Sequence, residues 1–491
     1  MNMKKEKLKT GILLLLICSA ITLAANVWFG SGIWPQGYDY FVTLPSRAFF
    51  SQFFGQGQPY ISPMENLAKP QKLVVTNGEK RAVYYNSDAN FSPFYESVNA
   101  FFKEILKNEG AVFMSTEVGE EEWYDVLRND ELLDTRSLYF SYTTAFSPSL
   151  FAKVCGVEGT WLEKHISAMQ EMILAPIGDT GEDVLLYVRD HSDGKIKKFY
   201  INYGGKSDIY TRISSLTENE NYSYAFELNL HDSVVGIGGG VAQKVVMDPL
   251  ILISPRSSQN GIIRGENPVG SVADTEALLS VFGYRERGVN RFTGTDGTMH
   301  FVENYGSINL YPDGLVEYYA VDNKKGVNIL PAEGGTASLY DALNGAVGFA
   351  ARVWTSLVPD MPFEALVSSD LVENESGDYT FTLDYYYEGT PITIAARDLS
   401  HAVEIRVKEG RIVEYRHLLR RFSETGQVAE SVPMIEAMDN MYARFASEET
   451  QIRITNLFLS YVEDTAQGAK QPVWCATIEG RDDLVIDTPT A

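Results

Sequence analysis

The chain has 491 residues and a net charge of −24, from 41 lysines and arginines against 65 aspartates and glutamates. A hydrophobic content of 45% and an aromatic content of 12% exclude a disordered tail, and the length calls for two to four domains. The acidic balance argues against a nucleic-acid partner and against charge-driven binding to anionic lipid.

Gly11 to Phe29 is an uncharged run, GILLLLICSAITLAANVWF, preceded by Lys4, Lys5, Lys7 and Lys9. As a helix it spans about 28 Å, close to the hydrocarbon thickness of a bilayer. No Lys or Arg follows until Arg47, so residues 1–10 are expected in the cytoplasm and everything beyond residue 30 outside, on a single-pass cell-membrane protein. A cleaved signal peptide with Thr22-Leu23-Ala24 as its site is the competing reading, but the apolar run continues through Val27, Trp28 and Phe29. A lipoprotein fits less well, because Cys18 follows Ile17 where processing wants a small residue. Gly11, Leu15, Ser19, Thr22 and Asn26 fall on nearly one stripe of the helix, a pattern that favours a partner helix by about 0.5–2 kcal/mol per hydrogen bond. The alternative is tolerance of weakly polar residues near a helix end. Trp28 and Trp34 flank the outer end as interfacial anchors.

Residues 30–62 read as a juxtamembrane linker. In it Phe49, Phe50, Phe53 and Phe54 share one face of a short helix, suited either to the outer leaflet or to the first domain. Over 63–215 strands and helices mix. Lys72–Thr76 and Arg81–Tyr85 predict a hairpin around Asn77-Gly78. Ser92, Pro93 and Glu96 open a predicted helix whose stripe is Phe94, Val98, Phe101, Phe102, Ile105 and Leu106. Glu120–Arg128 and Trp161–Met172 read as further helices, and Leu138–Tyr142, Val184–Arg189 and Lys197–Tyr203 as strands. This is an α+β domain, an antiparallel sheet covered by helices.

A middle α+β module, 216–335, begins with a predicted strand Tyr222–Leu230, the glycine run Gly236–Gly240 and a β-prone Lys244–Ser254. It continues with a helix Thr275–Phe282 and strands His300–Glu303, Ser307–Tyr311 and Leu315–Val321, with a boundary at Pro331–Thr336. The C-terminal module, 336–491, comprises a helix Leu339–Leu357 and strands Tyr379–Tyr387, Ala402–Lys408 and Arg411–Leu418. Helix Met434–Phe445 follows, then strands Ile452–Glu463 and Val473–Glu479 joined by a turn at Gly468. Asp313-Gly314-Leu315-Val316-Glu317-Tyr318 echoes Glu409-Gly410-Arg411-Ile412-Val413-Glu414-Tyr415, and each echo follows a helix and earlier strands. The last two modules therefore read as related.

The motifs that imitate catalysis lack their context. Gly205-Lys206-Ser207 resembles the end of a phosphate-binding loop, but Tyr200 stands where the motif needs a glycine. Gly236–Gly240 runs into β-prone residues instead of the helix a dinucleotide site requires. Ser192-Asp193-Gly194-Lys195 has an acyl-transfer spacing on a hairpin bend, where Ser and Lys do not meet as they would on a helical turn. His165, His191, His231, His300, His401 and His417 never pair at ligand spacing, and no C-x-x-C occurs. No catalytic residue, metal ligand or cofactor loop emerges, and a non-catalytic protein is expected. With Cys18 in the span, Cys155 and Cys475 remain, and one disulfide between them stays open.

The layout of short basic N-terminus, single span, mixed first domain and two related modules resembles the YycH/YycI family, most of all its YycH branch. Leu278-Leu279-Ser280-Val281-Phe282-Gly283-Tyr284 with the strands through Tyr318, and Ile454-Thr455-Asn456-Leu457-Phe458-Leu459-Ser460-Tyr461 followed by Pro472-Val473-Trp474, carry the likeness. The Gly236–Gly240 loop has no place in that pattern. The resemblance implies a membrane-anchored regulator of the WalK (YycG) sensor histidine kinase, which governs cell-wall metabolism in Gram-positive bacteria. It further implies a YycI-like partner and contact with the kinase largely through transmembrane helices. Whether the control activates or represses stays open. The contrasting functions are an anchored wall- or ligand-binding module without a kinase partner, and a cell-wall hydrolase.

Overall fold

Gly78, at φ +58° in the left-handed region that suits a residue without Cβ, lets β1 (Lys72–Asn77) turn back into β2 (Lys80–Tyr85). The computed structural model describes residues 69–486, apart from 79, 86–90, 129–135, 178–182, 203–207, 216–221, 229–233, 236–242, 255–258, 285–288, 330–337, 373–376, 446–450, 465–467 and 482. The apolar run 11–29, the linker phenylalanines, Gly205-Lys206-Ser207, Gly236–Gly240 and the Pro331–Thr336 boundary lie outside the described residues. Among the described residues no helix is long and apolar enough to cross a membrane.

The hairpin joins β3 (Val112–Val118), β4 (Arg136–Phe146), β5 (Met169–Ile177), β6 (Asp183–Asp190) and β7 (Ile196–Asn202) in one antiparallel sheet, ordered β2-β1-β4-β5-β6-β7-β3. Strand alternation makes the sheet two-faced. Leu73, Phe140, Met172 and Val188 share a core with α1 (Phe91–Lys107), where Phe102 meets Phe140 edge-on at 5.6 Å. Val74, Tyr139, Ile173 and Tyr187 face Trp123 and Leu127 of α2 (Glu120–Leu127) and Tyr224, Phe226 and Leu252. Two short helices, α3 (Pro148–Val154) and α4 (Asp208–Ser214), complete this part.

The helix expected over Trp161–Met172 is a correction. Only Trp161–Lys164 turns, as a short 3-10 helix started by the Thr160 side chain, and Met169 then begins β5. Residues that locally favour a helix are taken by an interior strand slot, where β4 and β6 satisfy the backbone on both sides. The strand expected over Tyr222–Leu230 is also corrected. Among the described residues of this stretch only β8 (Ser223–Tyr224) is a strand, and residues 225–228 turn. The turn brings Glu227 onto Arg81, a wholly buried guanidinium held through both nitrogens at 2.6 and 2.8 Å.

After β8 come β9 (Val234–Val235), β10 (Gln243–Met247), β11 (Leu252–Ile253) and β12 (Gln259–Glu266). Then α5 (Val272–Val281) leads into β13 (Asn290–Thr293), β14 (Met299–Glu303), β15 (Gly306–Leu310), β16 (Leu315–Ala320) and β17 (Val327–Asn328). Helix α6 (Leu339–Leu357) precedes β18 (Ala365–Val367), β19 (Tyr379–Tyr387), β20 (Thr390–Ile394), β21 (Val403–Lys408), β22 (Arg411–Leu418) and β23 (Arg421–Glu430). The chain ends with α7 (Met434–Arg444), β24 (Ile452–Glu463), β25 (Ala469–Lys470), β26 (Val473–Ile478) and β27 (Leu484–Ile486).

A second, larger sheet runs β13-β14-β15-β16-β22-β21-β19-β20-β24-β10-β9, antiparallel except where β24 pairs β20 and β10 in parallel. Strands of both later segments thus share one sheet. The first sheet is tied to it at a bulge in β4, where Phe146 bridges Leu371 and the Thr144 hydroxyl donates to Asp370 at 3.0 Å. The architecture is mixed α and β with antiparallel sheets, and strands outnumber helices among the described residues.

Candidate functional site

The echoing strands noticed in the sequence are neighbours. Each turn has a glycine in the left-handed region, Gly314 at +88° and Gly410 at +71°, and feeds a strand, β16 or β22. These two strands pair antiparallel with Tyr318 opposite Tyr415. From the covered side, Phe282 just beyond α5 lies 5.3 Å from Tyr318 and 5.6 Å from Tyr415, and Phe349 of α6 lies 5.2 Å from Tyr415. Both helices pack on this one face, so the other face of β13–β16 and β21–β22 is left open.

Along the open face a single row crosses six strands: Phe292, His300, Asn309, Glu317, Arg416, Glu404. Phe292 is 55% exposed and stacks on the His300 ring at 4.6 Å. His300 Nδ1 donates to Asn309 Oδ1 at 2.8 Å. Arg416 reaches Glu317 at 3.3 Å and Glu404 at 2.9 Å, and these carboxylates raise its pKa against the opposing effect of burial. Beside the row, Tyr311 donates to Glu317 at 2.8 Å, and burial together with that carboxylate pushes its phenol up to about 12. Arg397 covers the Tyr311 ring at 4.4 Å and pairs with Asp313. Val302, Tyr319 and Val321 add exposed apolar surface. Such an antiparallel face, with aromatic rings among cross-strand ion pairs, is suited to docking a protein surface.

Other polar clusters are structural in their geometry. His417 is wholly buried, its Nε2 2.5 Å from the Tyr385 hydroxyl and its Nδ1 2.7 Å from that of Tyr415, and burial pushes its pKa down to about 3. Ser368, His401 and Asp384 contain the residue types of a nucleophilic triad, but the serine at 3.2 Å and the carboxylate at 3.0 Å both approach Nδ1. A proton relay needs them on opposite ring nitrogens. Arg420, Glu463 and Lys470 form a buried cluster that ties β24 and β25 to the turn before β16 through the carbonyl of Asp313. Ser192 donates its hydroxyl to Asp190 at 2.7 Å in the bend at Gly194. Cys155 and Cys475 are free thiols, each buried and pushed up to about 12 by that burial. Among the described residues no group of three His, Cys, Asp or Glu is placed to hold a metal ion.

The site residues expected from the sequence, Gly11, Leu15, Ser19, Thr22, Asn26, Trp28 and Trp34, lie outside the described residues, so the open face is an addition to them. Sequence reading missed β13, because four residues are too few for alternation to register. It also missed Phe292 and Arg416, whose roles exist only once the strands are in register. The one available signal was the pair of Val-Glu-Tyr echoes, which mark the two central strands.

No protein-family model and no curated protein matches the chain. Among solved structures, an uncharacterized protein from Eubacterium rectale aligns at 13% identity over 49% of this chain and 85% of that one, with a TM-score of 0.32 too low to carry an argument. YycH from Bacillus subtilis aligns at 10% identity over 89% of this chain and 99% of that one, with a TM-score of 0.55. The chain therefore has a YycH-like fold.

Proposed function

We propose that this chain is a non-catalytic, membrane-anchored regulator of a WalK-type sensor histidine kinase, with a YycI-like partner and its bulk outside the cell. The observation that carries the reading is the YycH-like fold along 89% of the chain. The basic N-terminus, the apolar run Gly11–Phe29 and the layout of the modules support it. In this reading the anchor biases the kinase by binding its signalling and resting conformations with different affinity. Gly11, Leu15, Ser19, Thr22 and Asn26 form the contacting stripe, and Trp28 and Trp34 fix its depth. The open face of the second sheet supplies the ectodomain contact. The test replaces residues 11–29 with an unrelated hydrophobic helix of equal length and measures kinase output in cells. A changed output at unchanged protein level supports the reading, and an unchanged one overturns it.

A further inference from the structure

The second sheet ends at β13, an edge strand of four exposed residues, Asn290-Arg291-Phe292-Thr293, with no other strand beside it among the described residues. Sheet edges are ordinarily guarded by bulges, prolines, charged side chains or shortness. The first sheet follows this rule: its edge strand β3 carries a register shift between Val112 and Met114. β13 is short and carries one charge, Arg291, but it has no Pro, and its pairing with β14 runs without a shift.

The phase of the hairpin shows which backbone groups are on offer. Gly294 N–H donates to the Thr298 carbonyl at 2.8 Å, and antiparallel pairs alternate in their bonding. The backbones of Phe292 and Asn290 therefore face β14, whereas the N–H and C=O groups of Arg291 and Thr293 point away from the sheet. Phe292 lies on the open face. Arg291, its neighbour in sequence, projects on the opposite side, and it makes no ion pair among the described residues. Three of the four lysines and arginines of β21 and β22, Arg406, Lys408 and Arg416, are each paired with a carboxylate.

We infer that β13 is a docking edge for an extended strand of a partner protein, one with an acidic residue opposite Arg291 and an apolar residue alongside Phe292. Main-chain bonds to Arg291 and Thr293 supply the affinity, and the two side chains supply register and preference. The charge complement identifies the occupant. A guanidinium with no ion pair among the described residues disfavours a second copy, whose β13 would bring another Arg291 to the same edge. The edge offers this contact to any extracytoplasmic partner, whether or not the chain regulates a kinase.

The probe is a synthetic hexapeptide, Thr-Val-Glu-Val-Thr-Tyr, added to the full-length protein in detergent, with residue-resolved hydrogen exchange as the readout. The amides of Arg291 and Thr293 are expected to slow about tenfold at about 1 mM peptide, and a Glu-to-Lys peptide to bind about threefold more weakly. Arg291→Glu reverses that preference. Thr293→Pro removes an outward N–H without touching the β13–β14 bonds, so β14 stays protected while the peptide effect disappears. No slowing of the two amides, or slowing that survives Thr293→Pro, overturns the proposal. So does a Thr293-dependent dimer of the protein alone, which would place a second copy on the edge.

Discussion

Tyr318 stands directly opposite Tyr415 across the β16–β22 pair, and both rings are wholly buried. Each is the last residue of a Val-Glu-Tyr echo, so similar stretches nearly a hundred residues apart meet at one seam. On the covered side, Phe282 and Phe349, 5.1 Å apart, close over it. A sheet whose central join is this well packed presents its opposite face as a stable platform.

Truncating the cover should be costly. Phe282→Ala removes a ring that touches Tyr318, Tyr415 and Phe349 and leaves a cavity that the rigid sheet cannot collapse. The expected loss is about 3–5 kcal/mol, read from the denaturant midpoint of the full chain. Phe292→Ala, on the exposed face, should change stability by less than about 0.5 kcal/mol.

Gly345 reverses the usual effect of a helical glycine. Replacing it with alanine inside α6 would ordinarily gain about 1 kcal/mol of helix propensity. Here a Cβ would stand 2.9 Å from Ile329 Cβ and 3.0 Å from the Ile329 carbonyl oxygen, part of it backbone that cannot swing away. Overpacking of this kind costs about 1–3 kcal/mol. Gly345→Ala is therefore expected to lower the thermal midpoint, and a rise would contradict the packing described.

Arg81 and Glu227 are 146 positions apart, and their bidentate pair pins the 222–228 turn to the first sheet. Glu227→Ala strands a guanidinium that is wholly buried, a change worth about 3–5 kcal/mol. Arg81→Met combined with Glu227→Ala removes both charges and should recover much of that loss. Hydrogen exchange should show residues 222–228 opening first in the single variant.

His417 gives the fold a dependence on pH. Its pKa is depressed to about 3 by burial, below the ordinary value of about 6.5 in an unfolded chain. Between these values the unfolded state binds the extra proton, so the contribution is complete above about pH 6.5 and is lost as pH falls toward 3. The slope it adds is at most about 1.4 kcal/mol per pH unit. His401 works in the opposite sense. Its hydrogen bond to Asp384 raises its pKa, so its contribution is present below the unfolded value and lost as pH rises through the folded one. Denaturation midpoints measured across this range should flatten on the acid side in His417→Phe.

Periodicity alone determined those elements whose apolar residues repeat regularly. The helix Leu339–Leu357 and the strands Tyr379–Tyr387, Arg411–Leu418 and Ile452–Glu463 have the bounds read from the residues, because their alternation repeats often enough to outweigh chance. Only the tertiary structure decided that Met169–Ile177 is a strand, that β12, β13 and β23 exist, and that Arg81 meets Glu227. Each of these depends on a partner distant in the chain, whose hydrogen bonds and burial outweigh local preference. The open face has the same origin: which side of an alternating strand meets solvent is settled by where α5 and α6 pack.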